Sequence, residues 1–237
     1  MLPRVIDDYA LARRANMRWN TPLDEPHAEL LLRRLDVREG TVADLGCGWG
    51  ELLIRAVDGT AARGIGVDVD EVALDRGRKA VSERGAAVEF VQQPAAQWRG
   101  TAERAICIGA SHAFGGTKPA LEALAATTDR LLFGDGYWAA EPTEAAQEIL
   151  GDDILTLPEL LEACRETGWR VRHLSTAGQR EWDDFESTSR SGRLDWLLSH
   201  PDDPRAAETR DWLDQREREY VSVYRGVLGL GYLVLVR

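Results

Sequence analysis

The chain has 237 residues, with 29 Lys and Arg against 40 Asp and Glu, a formal net charge of −11 at pH 7. This charge disfavours a nucleic-acid target, since binding to a phosphate backbone depends on Lys and Arg. No apolar run approaches the roughly 20 residues of a membrane span. The three cysteines are far apart and show no metal or redox spacing. We therefore expect a cytoplasmic protein with no membrane or nucleic-acid partner, and leave its oligomeric state open.

The first half of the chain alternates predicted strands and helices after two N-terminal helices. The predicted segments are helices 6–20 and 25–35, strand 41–45, helix 51–57, strand 63–67, helix 70–84, strands 87–91 and 105–108, helix 119–126 and strand 130–133. Such alternation is typical of βαβ units around a mostly parallel sheet.

The second half carries a charged, Trp-rich stretch before a final strand. Here the predicted segments are helices 144–150 and 157–167, strand 169–174, a helical insertion at about 181–225 and strand 227–237. We predict an α/β fold with a doubly wound, mostly parallel sheet. Because no repeat or linker interrupts the chain, we expect residues 1–237 to form a single domain.

A glycine-rich loop follows the first predicted strand. Asp44 precedes three glycines at alternate positions, Gly46, Gly48 and Gly50, and a helix follows. Glycine lets a backbone approach a ligand closely, and a helix start offers unpaired N–H groups. The spacing differs from the G-x-G-x-x-G that packs a pyrophosphate against a helix. Asp44 would repel a pyrophosphate and attract an ammonium group.

A second acid ends the next predicted strand. Asp68 closes the sequence Gly66-Val-Asp68, and an acid in this position can hold both hydroxyls of a ribose. The loop and Asp68 together describe a site for a nucleoside with a cationic tail and no phosphate.

These residues resemble the class I S-adenosylmethionine (SAM)-dependent methyltransferases, whose first motif is similar to D-x-G-x-G-x-G and whose second strand ends in G-x-D. The resemblance covers about 42–135 and implies a Rossmann-like fold, methyltransferase activity and SAM as cofactor. It implies that the three glycines approach the methionine and ribose parts of SAM. Asp44 would orient the amino-acid end, Asp68 would hold the ribose hydroxyls and Val69 would pack on the adenine.

The adenine contacts depart from the family pattern. Many relatives have an acid after the third strand, where this chain has Pro94. Gln93, or the backbone of Ala95 and Ala96, would then bind the adenine edge. The implied cofactor contacts are completed by Gly109 and by Cys47, for which a packed small side chain is the alternative.

The resemblance places the loop after the fourth strand near the reacting methyl group. Methyl transfer requires alignment and a deprotonated nucleophile, and imidazole titrates near neutral pH. His112 is therefore a candidate general base, the alternative being that it orients the loop or contacts substrate. Ser111 joins it as a catalytic candidate, and Phe114 is a candidate acceptor contact.

The acceptor is the least specified part of the site. Tyr137 and Trp138, placed after the fifth strand, and Trp182, in the insertion, are candidate acceptor contacts; the run 181–186 is alternatively a helix start. An insertion that caps a pocket favours a small-molecule acceptor. Acids and histidines do not cluster at metal-ligand spacings, so no metal is expected.

Two other functions compete with a methyltransferase. A nicotinamide-dependent oxidoreductase is disfavoured by the glycine spacing and by Asp44. A SAM- or nucleoside-binding module without turnover, acting as a sensor or scaffold, is compatible with the same loop, and turnover with a methyl acceptor separates it from an enzyme.

Overall fold

The structure, a computed structural model, describes residues 8–151 and 153–237. In this part of the chain the strands are β1 (Glu39–Leu45), β2 (Ala61–Asp68), β3 (Val88–Gln92), β4 (Arg104–Ile108), β5 (Arg130–Trp138), β6 (Arg170–Thr176) and β7 (Leu228–Val236). The helices are α1 (Asp8–Ala12), α2 (Glu25–Leu35), α3 (Glu51–Val57), α4 (Glu71–Arg84), α5 (Thr117–Ala125), α6 (Glu144–Leu150), α7 (Leu157–Glu166), α8 (Gln179–Ser199) and α9 (Ala206–Glu219). None of these helices combines the length and the apolar character needed to cross a membrane.

The strands form one sheet in the order β3-β2-β1-β4-β5-β7-β6. Strands β1 to β5 are parallel to one another, whereas β7 runs antiparallel to both β5 and β6. The strand order reverses between β1 and β4, and such a reversal opens a crevice at the carboxyl ends of the strands. The predicted doubly wound, mostly parallel sheet is confirmed.

Helices bury apolar side chains on both faces of the sheet. On one face Leu31 of α2 and Leu53 of α3 are fully buried. On the other face Leu121 of α5 and Leu160 of α7 are equally buried. Burial of these apolar side chains stabilises the sheet. Because helices cover both faces, the edge at the carboxyl ends of the strands stays open to a ligand.

The predicted insertion lies between β6 and β7 as two helices, α8 and α9, followed by a π-helical turn, Tyr220–Tyr224. Its start is tied to the rest of the protein by a polar cluster. His27 of α2 places Nδ1 2.8 Å from Oε1 of Glu181 and Nε2 2.7 Å from Oγ of Ser175 in β6. Residues 181–186 lie in the first turns of α8, as the alternative interpretation of this run as a helix start predicts.

Two predicted elements differ from the observed ones by more than two residues at one end. Of the predicted helix 6–20, residues 6 and 7 lie outside the described residues, and α1 ends at Ala12. The segment that follows is not helical, because side chains from elsewhere in the fold bond to its carbonyl groups. The fifth strand continues beyond residue 133 to Trp138, because β7 pairs with it along its whole length.

Candidate active site

The glycine loop turns sharply at the carboxyl end of β1. The N–H groups of Gly46 and Cys47 both donate to the carbonyl of Val67, at 2.8 and 3.1 Å. Gly46 has φ +86°, and a Cβ there would lie 2.3 Å from the Cβ of Ala110. Gly48 has φ +56°, and a Cβ there would meet nothing within 4 Å. Gly46 thus permits close packing, whereas the backbone at Gly48 faces open space that a ligand can fill.

Asp68 lies directly beside this loop. Its Oδ2 accepts the N–H of Gly48 at 2.7 Å, and its Oδ1 accepts the N–H of Asp70 at 2.9 Å. These bonds fix the carboxylate at the end of β2, next to the open space at Gly48. Each carboxylate oxygen keeps further lone pairs with which to accept ligand hydroxyls.

Asp44 faces the same space from β1 but is only 5% exposed. Burial, assisted by the charge of Asp68, raises the pKa of Asp44 to about 8. An ammonium group beside this carboxyl group would favour its ionised form. The site therefore favours a ligand with a cationic end.

A cavity of about 500 Å³, counting its open mouth, adjoins the loop. Its lining comes from residues 13–23, here called the N-terminal segment, and from the glycine loop, the start of α3 and the end of β4: Arg18, Trp19, Asn20, Thr21, Leu23, Asp44, Gly46, Cys47, Gly48, Trp49, Glu51, Leu52, Ile106 and Ile108. The wall formed by residues 18–23 was not predicted from the sequence. The sequence feature that could have indicated this wall is the aromatic residue Trp19, next to the helix-breaking Thr21-Pro-Leu-Asp24.

The N-terminal segment is held over the glycine loop by two side chains. The indole N–H of Trp49 donates to the carbonyl of Arg18 at 2.9 Å. The Arg76 guanidinium donates to the carbonyls of Arg14, at 2.8 Å, and Met17, and lies 4.2 Å from the centroid of the Trp49 ring. Trp49 is thus buried in packing and also lines the cavity.

The loop after β4 begins with the 3-10 turn Ser111–Phe114. The hydroxyl of Ser111 donates to Oδ1 of Asp135 at 2.9 Å, and that of Thr117 donates to Oδ2 at 2.7 Å. Burial raises the pKa of Asp135 despite these hydrogen bonds. Asp135 was not a predicted site residue; it anchors this loop to β5.

His112 is exposed at the surface of the same turn. Its positive form favours ionisation of the nearby Asp135, and it lies outside the lining of the cavity. Phe114 is half-buried and packs toward the sheet face that holds α5 and α7.

The predicted adenine contacts lie at the same edge as Asp68. The Gln93 N–H donates to the carbonyl of Asp68 at 3.0 Å, and the 3-10 turn Ala95–Gln97, which includes Ala96, follows. Val69 is 62% exposed, which leaves an apolar surface beside Asp68. Gly109 has φ +65° and open space where a Cβ would lie.

The predicted acceptor contacts have packing partners outside the cavity. Tyr137 and Trp138 lie within β5 rather than after it, and Tyr137 is buried toward α7. Trp182 is buried in α8 with its ring centroid 6.1 Å from that of Phe185. Phe185 reaches the glycine loop instead, since it packs on the cluster that contains Trp49.

The residues present fit SAM. Asp44 suits the ammonium group of SAM, and Asp68 suits its ribose hydroxyls. The open space at the backbone of Gly48 lets the cofactor approach closely. No group of three or more His, Cys, Asp or Glu residues in 8–151 and 153–237 could hold a metal ion.

The sequence matches a methyltransferase family model and, over most of its length, a bacterial relative. The family model described as a methyltransferase domain matches residues 42–136. YjhP of Escherichia coli K12 is 31% identical over 232 residues, which cover 92% of this chain and 94% of YjhP.

Two crystal structures of SAM-dependent methyltransferases in complex with S-adenosyl-L-homocysteine have the same fold. The protein from Geobacter sulfurreducens superimposes with a TM-score of 0.88 at 28% identity, over 98% of this chain and 99% of that one. The protein from Thiobacillus denitrificans gives 0.87 at 26% identity, over 98% and 99%. The chain belongs to the class I SAM-dependent methyltransferases and uses SAM as its methyl donor.

Proposed function

We propose that this methyltransferase acts on a small molecule that reaches the methyl group through the space enclosed by the N-terminal segment and α8. The observation that carries the proposal is the wall of residues 18–23 across the carboxyl edge of the sheet. A site enclosed by the chain itself suits a small ligand better than the flat surface of a macromolecule. The net charge of −11 disfavours nucleic acid in addition.

The roles of the cofactor residues follow from their positions. Asp44 would bind the ammonium group, Asp68 would accept from the ribose hydroxyls, and the backbone of Gly48 would approach the ligand most closely. Bound SAM supplies an electrophilic methyl group on a positively charged sulfur. The protein then has to align the acceptor and remove its proton.

We assign the proton transfer to His112, with Ser111 as a positioning residue. The bond from Ser111 to the buried Asp135 fixes the turn that carries His112. As the base, the exposed imidazole would pass the proton it takes from the acceptor to water.

We also propose that residues 1–237 form one domain, because β7 returns from the insertion to the sheet that carries the glycine loop. Cytoplasmic localisation is supported by the cysteines, Cys47, Cys107 and Cys164, which are all free and would stay reduced there.

Label transfer from methyl-labelled SAM tests the proposal. Bacterial extract is separated into an ultrafiltrate and a macromolecular fraction, and each is incubated with the enzyme. We expect label in the ultrafiltrate. Asp68→Ala should abolish most of the transfer, whereas Asp75→Ala, at an exposed acid of α4, should not. Label confined to protein or nucleic acid would overturn the proposal.

A further inference from the structure

A second cavity lies between the N-terminal segment and the insertion helices α8 and α9. Its volume is about 840 Å³, counting its mouth. Asn20 lines both this cavity and the one beside the glycine loop. Phe185 lines it as well, and also packs on the cluster of Met17, Trp49 and Ala73. The second cavity, here called the insertion cavity, therefore adjoins the cofactor site.

The insertion cavity is lined by arginines, although the protein as a whole is acidic. Three arginines, Arg13, Arg14 and Arg216, line it against one acid, Glu219, although acids outnumber bases 40 to 29 in the whole chain. An arginine that keeps its charge unpaired in a concave site attracts an anion.

The three arginines differ in their partners. Arg14 is bound to Asp70 at 2.5 Å, and Arg216 lies 3.4 Å from Glu186 and 3.6 Å from Glu219. Arg13 forms no ion pair with any residue in 8–151 and 153–237. Its guanidinium is therefore the cation at this cavity that is available to a ligand.

The rest of the lining offers an apolar surface. Met17 is buried, and Phe185 and Trp212 are half-buried around the same cavity. The guanidinium of Arg193 lies 3.9 Å from the centroid of the Trp212 ring, which fixes that ring in place. An apolar or aromatic body can be removed from water here.

We propose that the methyl acceptor is an organic anion, with a carboxylate or phosphate group bound by Arg13 and an apolar body packed on Met17, Phe185 and Trp212. Asn20, at the junction of the two cavities, contacts the end of the acceptor that receives the methyl group. This inference rests on the proposed small-molecule function and names the chemical class of that substrate.

Anion exchange of the ultrafiltrate tests the charge of the acceptor. The ultrafiltrate is passed over an anion-exchange resin at pH 7, and the retained and unretained fractions are offered to the enzyme with labelled SAM. We expect the label in the retained fraction. Label in the unretained fraction would overturn this inference and leave the small-molecule function intact. Label in macromolecules alone would overturn both.

Substitution of Arg13 tests the binding residue, with the retained fraction as the probe. We expect Arg13→Gln to raise KM about 10- to 100-fold, the usual effect of losing a charge-assisted hydrogen bond, with a smaller change in kcat. Arg13→Lys should restore part of the affinity, and S-adenosylhomocysteine binding should not change in either variant. Arg210→Gln, at an exposed arginine of α9 outside the cavity, is the matched control. An Arg13→Gln enzyme with wild-type KM would overturn the assignment.

Discussion

Asp44 and Asp68 end neighbouring strands at the same edge of the sheet but differ in environment. Asp68 accepts two backbone N–H groups and keeps contact with solvent. Asp44 is buried, and burial raises its pKa to about 8, so that its carboxyl group keeps its proton at higher pH than an exposed aspartate does. The two acids are therefore suited to different parts of one ligand: Asp68 to neutral hydroxyls and Asp44 to a cation.

Asp68→Ala should weaken S-adenosylhomocysteine binding by about 10- to 100-fold, since a hydrogen bond to a charged group contributes roughly 1.5–3 kcal/mol. Isothermal titration calorimetry measures the change. Asp75→Ala, at an exposed acid on α4, should bind as the wild type does. An unchanged affinity for Asp68→Ala would mean that the ribose is held by other groups.

His112→Ala should lower turnover by about 10²–10⁴-fold if the imidazole is the base, while cofactor affinity stays near that of the wild type. The pH–rate profile of the wild type should show an acidic limb that the variant lacks. If His112 instead positions the acceptor, KM should rise and kcat should change less. His200→Ala, at the exposed histidine that follows α8 as its C-cap, controls for loss of an unrelated imidazole. Wild-type kinetics in the His112 variant would exclude both roles.

The N-terminal segment is the element that turns an open crevice into an enclosed site. Besides its bonds to Arg76 and Trp49, it is fixed at its far end by Tyr232 of β7. The Tyr232 hydroxyl lies 2.7 Å from the carbonyl of Pro22 and 3.0 Å from the hydroxyl of Thr21. Side chains from α4, the glycine loop and β7 thus hold one short segment over the cofactor site.

Arg76→Met should loosen this segment without disturbing the sheet. It removes the guanidinium that bonds to the carbonyls of Arg14 and Met17. We expect amide hydrogens in 14–20 to exchange at least about tenfold faster, because hydrogen bonds from a charged group contribute roughly 1.5–3 kcal/mol each. Arg78→Met is the control on the same helix, since Arg78 pairs with Glu71 and Asp75 of α4 itself. Equal exchange in both variants would show that other contacts hold the segment.

The sequence was most informative where structure depends on neighbouring residues. The strand before Asp44, the glycines and the helix after them form a local pattern, and the helix 51–57 has the predicted bounds. Residues 13–20 were wrongly predicted as helix, because carbonyl groups in this stretch accept hydrogen bonds from Arg76 and Trp49, which are distant in sequence. Tyr137 was placed after β5 because its pairing partner in β7 lies far along the chain.

At the scale of the whole molecule, the edge of the sheet that binds the cofactor carries a buried carboxyl group, Asp44, whose ionisation is unfavourable in the free protein. Asp44 is buried, and the charge of the nearby Asp68 adds to the cost of ionising it. Because burial raises the pKa of Asp44 in the folded protein, this group lowers the free energy of unfolding as the pH rises from about 4, near the ordinary pKa of an aspartate, to about 8. A cationic ligand beside Asp44 would stabilise its ionised form and so offset this loss of stability.

Asp44→Asn should accordingly stabilise the ligand-free protein, and the gain should grow between pH 4 and about pH 8 and then level off. The reason is that wild-type Asp44 ionises in the unfolded chain over this range but stays protonated in the folded one, and each pKa unit corresponds to about 1.36 kcal/mol. Thermal unfolding at pH 5, 7 and 8.5 measures the trend, with Asp75→Asn as the exposed control. Saturating S-adenosylhomocysteine should raise the Tm of the wild type more than that of Asp44→Asn, because its ammonium group stabilises the ionised carboxylate that the variant lacks. If the variant were no more stable than the wild type at pH 8.5, Asp44 would be ionised at little cost in the free enzyme, and its attraction for the ligand's ammonium group would need another origin.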